Sequence, residues 1–216
     1  MDGYAFTLAD AALVALPSGA LFWPERGLLT VADLHLGRAQ RPARFGGAAL
    51  PPYEIAETLA RLDADLDATG ARRVVALGDS FDDPGAEARM DETHRFWLAR
   101  MMAGRDWTWI AGNHDPGPVE IGGSHLASLA LAPLTFVHIC TPAGTAEVSG
   151  HYHPKARLGP GPAAPCFLID RCRVILPAYG RYTGGLRSDA PELASLMQPG
   201  ALAVLTGRRA RAIPFR

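Results

Sequence analysis

Five short apolar runs in this chain each end in a residue able to bind a metal ion, and no other feature restricts its fold as tightly. They are LLTVAD (28–33), VVALGD (74–79), WTWIAGN (107–113), LTFVH (134–138) and AEVSGH (146–151), ending in Asp33, Asp79, Asn113, His138 and His151. Short runs rich in β-formers predict buried strands. Between the first two runs, Ile55, Leu59, Leu62 and Leu66 recur at helical spacing after Pro51-Pro52 and before Gly70. This predicts an amphipathic helix with proline at its start and glycine just past its end. Between the second and third runs, Met90, His94, Trp97 and Met101 repeat that spacing ahead of Gly104. Alternating strand and helix predict a parallel sheet covered by helices. Beyond residue 126 the pattern holds strands only, at 126–131, 134–139, 146–150, 165–169, 172–176 and 201–206. Antiparallel hairpins are expected there, forming a second sheet packed on the first.

Ligands of open α/β sheets sit outside the carboxyl ends of the strands, so the five terminal residues are expected to converge. His35 joins them through Asp33-Leu34-His35, and His153 through His151-Tyr152-His153. In extended backbone, residues i and i+2 point to one side, so each pair is able to grip one centre. The set holds four imidazoles (His35, His138, His151, His153), two carboxylates (Asp33, Asp79) and one amide (Asn113). That is too many donors for one tetrahedral zinc and suits two ions of higher coordination sharing a carboxylate. Nitrogen and oxygen donors without thiolate suit Mn²⁺, Fe or Zn²⁺ better than Ca²⁺ or a structural zinc, and Mn²⁺ is taken as the first expectation. Singly, an aspartate at a strand end is usually a cap and a histidine a hydrogen-bonded core group. Five strand ends terminating alike are not explained that way. His94, on an apolar helix stripe, and His125, in a Gly-Gly-Ser-His loop, are read as packing or solvent-facing residues.

With 216 residues, 48% of them hydrophobic and 20% charged, the chain is expected to form one globular domain over 1–216. Its formal net charge of −1 argues against a protein that blankets nucleic acid through excess positive charge. All but one of its 21 basic residues are arginine, so a local basic patch stays open. Three cysteines without a CxxC pair make no disulfide framework and point to a reducing cytoplasm. The N-terminus lacks a basic leader segment, and the longest apolar stretch is broken by Pro133, so no membrane span is expected.

Asp33-Leu34-His35, Gly78-Asp79, Gly112-Asn113-His114-Asp115, His138 and Gly150-His151-Tyr152-His153 together resemble the five signature blocks of the calcineurin-like metallophosphoesterases. The resemblance implies an α/β fold, a four-layer α/β/β/α sandwich of two mixed sheets flanked by helices. It implies a dinuclear centre in which Asp33, His35, Asp79 and His153 hold one ion. Asp79 as bridge, Asn113, His138 and His151 would hold the other. The flanks 21–38 and 176–185 (LPAYGRYTGG) look like the ligase-associated DNA-damage-response endonucleases, which implies DNA as substrate and a functional association with a DNA ligase and a helicase. In that branch the position of Asp82 is often histidine. Here it matches the aspartate found three residues after the GD aspartate elsewhere in the family.

Phosphodiester hydrolysis needs charge neutralisation, a strong nucleophile at neutral pH and an acid for the leaving oxygen. Two cations supply the first two. His114, next to Asn113, is the candidate general acid. Asp82 is the first candidate to keep it protonated and aimed, and Asp115 the second, with a role in fixing the GNH turn as the alternative for Asp115. Arg38, Arg41 and Arg44 follow the first metal motif and are candidates to hold substrate phosphates. Tyr179 and Tyr182 offer either base stacking or packing on the sheet. The leading expectation is a nuclease. Hydrolysis of a small phosphoester, such as a cyclic nucleotide or dinucleoside polyphosphate, is the second reading. A noncatalytic scaffold is the third, disfavoured by the intact ligand set.

Overall fold

The computed structural model describes residues 2–41, 50–115, 117 and 120–215. The first sheet holds β1 (Tyr4–Leu8), β2 (Ala11–Ala15), β3 (Leu21–Trp23), β4 (Leu28–Val31), β5 (Arg73–Leu77), β6 (Asp106–Ile110) and β7 (Ser124–Leu126), side by side in chain order. Pairing is antiparallel from β1 to β4 and parallel from β4 to β7. The second sheet comprises β8 (Ser128–Leu131), β9 (Leu134–Val137), β10 (Glu147–Ser149), β11 (Lys155–Ala156), β12 (Ala164–Ile169), β13 (Arg173–Ile175), β14 (Leu202–Leu205) and β15 (Arg211–Pro214). Its order is β15-β14-β12-β13-β10-β9-β8, with β11 paired to β12.

Period-two alternation explains how the first sheet divides its side chains. Val74 and Ala76 face the helices, whereas Val75 and Leu77 face the second sheet. Helix α1 (Glu54–Thr69) covers the first sheet with Ile55, Leu59, Leu62 and Leu66, all buried. Their burial contributes about 1.5–3 kcal/mol each. The helix ends on Gly70 at φ 62°, as the sequence predicts. After a short turn α2 (Ala86–Arg89), helix α3 (Glu92–Met102) completes this layer. The Asp91 side chain caps α3 by accepting the His94 N–H at 2.9 Å, so Met90 packs from outside the helix; Leu98, which the expected stripe left out, is buried with Met101, and His94 and Trp97 are only half-buried. A shared core of Leu13, Leu28, Leu77, Phe136, Phe167 and Val174 joins the two sheets. On the outer face of the second sheet, α4 (Pro191–Leu196) contributes Leu193 and Leu196 to a smaller cluster with Cys166 and Ile175. The architecture is therefore the α/β/β/α sandwich expected, with a thin fourth layer.

Three expectations need correction. The run 126–131 is not one strand: it breaks at Ala127, where β7 ends in the first sheet and β8 begins in the second. The second sheet is not built of antiparallel hairpins alone, because β10 pairs parallel with both β9 and β13. The antiparallel strands β1 to β3 and the last strand β15 add to the predicted set. All three cysteines are free, and among the described residues no helix is long and apolar enough to cross a membrane.

Candidate metal centre

The carboxyl ends of β4, β5, β6, β9 and β10 do converge, and they deliver two groups of ligand-capable atoms. Asp33, His35 and His153 form one, and Asp79, His138 and His151 form the other, each with its ligand atoms within 4.8 Å of one another. Asp79 lies between them: its Oδ2 is 3.5 Å from His138 Nε2 and 4.0 Å from His35 Nε2. Asn113 Oδ1 stands 3.0 Å from His138 Nε2, which places it with the second group.

Each carboxylate is anchored by one oxygen and offers the other. The His151 backbone N–H donates to Asp33 Oδ2 at 2.9 Å, and the His114 backbone N–H donates to Asp79 Oδ1 at 2.8 Å. Asp33 Oδ1 is buried without a hydrogen-bond donor and lies 3.3 Å from His153 Nε2. The His138 ring sits with Nδ1 2.7 Å from the carbonyl of Leu77. A carbonyl only accepts, so Nδ1 carries the hydrogen and the Nε2 lone pair faces the second group. Burial holds His35 below the usual histidine range against the pull of Asp82 and Asp33, and burial likewise lowers His151. Two imidazoles that burial favours as neutral, His35 and His151, an orphaned buried carboxylate oxygen and closely set ring nitrogens form a donor set that divalent cations fit.

The backbone at these positions is unusual. Asp33, His35, Asp79, His151 and His153 all have positive φ, between 44° and 71°. Non-glycine residues in that region store on the order of 1–3 kcal/mol each and collect at functional sites. This overturns the reasoning from extended spacing for one pair. Asp33 and His35 do serve one group, but His151 and His153 divide between the two because neither is extended. Two glycines make room for the carboxylates. A Cβ on Gly112 would lie 2.2 Å from Asp79 Oδ1, and one on Gly150 would lie 2.5 Å from Asp33 Oδ2.

His114 reaches the site from the same turn. Its Nδ1 is 3.1 Å from the carbonyl of Asp82, which leaves Nε2 pointing inward, 4.0 Å from Asp79 Oδ2. The expected carboxylate partner is thus replaced by a main-chain carbonyl. Asp82 instead directs its carboxylate to His35 Nδ1 at 3.6 Å and to Arg38 at 2.9 Å and Arg41 at 3.6 Å. Burial raises its pKa, but His35 and the two guanidiniums outweigh that and hold it below the usual carboxylate range. Asp115 accepts the Ser80 and Phe81 backbone N–H groups at 2.7 and 3.1 Å, fixing the GNHD turn to the GD loop rather than aiming His114. Burial pushes its carboxyl up to about 6. Arg44 lies outside the described residues. His94 donates its backbone N–H to the Asp91 cap of α3 and His125 stacks on Trp109 at 6.5 Å, so both stay away from the centre.

The sequence did not disclose that the segment after β13 closes the site. The Tyr179 N–H donates to the Ala32 carbonyl at 2.8 Å and the Gly180 N–H to the Asp33 carbonyl at 3.0 Å. Tyr179 is buried and donates its hydroxyl to Asp65 at 2.8 Å, so it packs rather than stacks on a ligand. The flank LPAYGRYTGG carried the signal for this segment without showing its place.

No family model matches the sequence, and no curated protein matches it. Among solved structures, the crystal structure of the Pseudomonas putida nuclease MPE is similar, with a TM-score of 0.78 and 28% identity over 98% of this chain and 100% of that one. The fold agrees with a metallophosphoesterase-type sandwich, and two groups of aspartate and histidine at its sheet edge are able to hold metal ions.

Proposed function

We propose that this chain is a metal-dependent phosphodiesterase, a nuclease acting on DNA. The observation that carries the reading is the pair of ligand groups with the Asp79 carboxylate between them. Likeness to a nuclease over the full length supports the nucleic-acid assignment. Two divalent cations, Mn²⁺ first, would supply charge neutralisation for the phosphodiester and an activated water when bound.

The chain's own residues do the remaining work. Asp33, His35, Asp79 and His153 hold one cation, and Asp79, Asn113, His138 and His151 the other. His114 acts as the imidazolium: its Nδ1–H donates to the Asp82 carbonyl, which aims the ring, and its Nε2–H passes to the leaving oxygen. Asp82 orients His35 from behind, and Asp115 locks the turn that carries Asn113 and His114. Arg38 and Arg41, partly exposed beside the first group, meet substrate phosphate oxygens, and Arg44 follows them in sequence. The single domain over 1–216, the cytoplasmic location, the DNA-repair setting and the association with a ligase and a helicase rest on composition and sequence resemblance.

Assays of the metal-loaded protein on single-stranded DNA, duplex DNA, a cyclic nucleotide and bis-p-nitrophenyl phosphate test the reading. Metal-dependent cleavage of DNA is expected, abolished by EDTA. Activity confined to the small esters would assign a small-molecule phosphodiesterase instead, and activity untouched by EDTA would remove the metal mechanism.

A further inference from the structure

The net charge of −1 leaves open how such a chain would hold a polyanion. The distribution of its cations supplies an answer. Residues 179–185 lie directly on the loops of the first ligand group. Arg38 Nε donates to the Tyr182 carbonyl at 3.3 Å, and a Cβ on Gly185 would lie 2.1 Å from the His153 carbonyl oxygen. From this segment a cleft opens, lined by Arg61, Lys155, Arg181, Tyr182 and Thr206. Thr206 also lines a second cleft, with Leu158, Arg208, Arg209 and Arg211. The two clefts therefore adjoin, and among the described residues no carboxylate lines either.

Sheet register puts these residues in a row. Lys155 pairs with Pro165, the Thr206 N–H donates to the Pro165 carbonyl at 2.9 Å, and Leu205 pairs with Arg211. Four adjacent strands, β11, β12, β14 and β15, thus span about 14 Å at the usual strand spacing. Some of the cations are engaged: Arg181 with Glu57 at 2.6 Å, Arg209 with Asp2 at 3.4 Å, and Lys155 with the Thr183 carbonyl at 3.0 Å. Arg208 and Arg211 are exposed and have no ion-pair partner among the described residues. Tyr182, 40% exposed and at φ 56°, is the aromatic at the end nearer the metal loops.

We infer that a single polynucleotide strand leaving the metal centre runs along this track, from Tyr182, Arg181 and Lys155 over Thr206 to Arg208 and Arg211. A positive groove with an aromatic platform is how single strands are held without sequence preference. A row of cations that ends in the unpaired Arg208 and Arg211, with no carboxylate lining it among the described residues, fits a phosphodiester backbone and not a small neutral or cationic ligand. The inference deepens the nuclease reading and rests on it.

The experiment measures binding of fluorescein-labelled oligodeoxythymidylate to the full chain in EDTA, where no cleavage occurs, across a salt series. It compares the unchanged protein, Arg208→Ala/Arg211→Ala, Tyr182→Ala, and Arg95→Ala/Arg100→Ala on α3 as a charge-matched control. The track pair is expected to raise Kd about tenfold and flatten the log Kd against log salt slope by about 1.4, at about 0.7 per phosphate contact. Tyr182→Ala is expected to weaken binding about fivefold with an unchanged slope, and the control pair to behave as the parent. Equal losses from track and control pairs, undetectable binding by the parent, or tighter binding of duplex than of single strand would overturn the inference. The nuclease reading fails separately, if the metal-loaded protein leaves every oligonucleotide intact.

Discussion

The two ligand groups differ in what stands behind their histidines. His138 is backed by the carbonyl of Leu77, the last residue of β5. His35 is backed by the carboxylate of Asp82, which is shared with Arg38 and Arg41. A carbonyl at the end of a buried strand has one position. A carboxylate shared between an imidazole and two partly exposed guanidiniums has partners that are themselves open to solvent. The second group is thus set by the sheet, whereas the first is coupled to the arginines proposed to meet substrate.

Removing what the groups share has the largest effect. Asp79→Ala is expected to take activity to background, and elemental analysis should then find at most one metal ion per chain in place of one for each of the two groups. Retention of both ions would show that the groups do not share a ligand. His114→Ala separates holding from reacting: metal content stays, while the rate on poor leaving groups falls about 10²–10⁴-fold. The loss shrinks for p-nitrophenyl esters, and equal losses on both substrates would reject the proton-donor role.

Asp82→Asn tests the asymmetry itself. It is expected to weaken metal binding about 10–100-fold at the first group and leave the second unchanged. Calorimetric titration should resolve one weakened and one retained binding step. A uniform loss would mean that the two groups respond as one.

The smallest effect concerns stability. Glu54 Oε1 accepts the Gly37 and Ala39 backbone N–H groups at 3.0 and 3.3 Å, on the loop that carries Arg38. Burial raises its carboxyl from 4.5 to about 7. A carboxyl raised by folding stays protonated in the folded state, so its contribution is full below about pH 4.5 and is lost as pH rises through about 7. Glu54→Gln keeps the acceptor oxygen and should flatten that slope by on the order of 2–3 kcal/mol in urea melts at pH 5 and pH 8. An unchanged slope would assign the pH dependence elsewhere.

The same division describes what the sequence disclosed. The residues closing β4, β5, β6, β9 and β10 were legible because chemistry and strand ends coincide there, and α1 was legible from its apolar spacing and Gly70. The hairpin β1–β2 was not: it turns on Ala9 and Asp10 at φ 46° and 67°, without the Asn-Gly or Asp-Gly pair that usually marks such a turn. Nor was the change of sheet at Ala127, since a single alanine inside an alternating run gives no sign of a break. The positive φ of five ligand residues and the turn of Asp82 toward His35 are set by tertiary contacts, which no local pattern encodes.

Two metal ions acting together across Asp79 are what the proposed function requires. Its most direct test is titration of the metal-free chain with Mn²⁺, following bound metal and hydrolysis of bis-p-nitrophenyl phosphate in the same samples. Activity should rise to a plateau at one ion for each of the two groups, two per chain. Full activity at one ion per chain, or in the metal-free protein, would contradict the account.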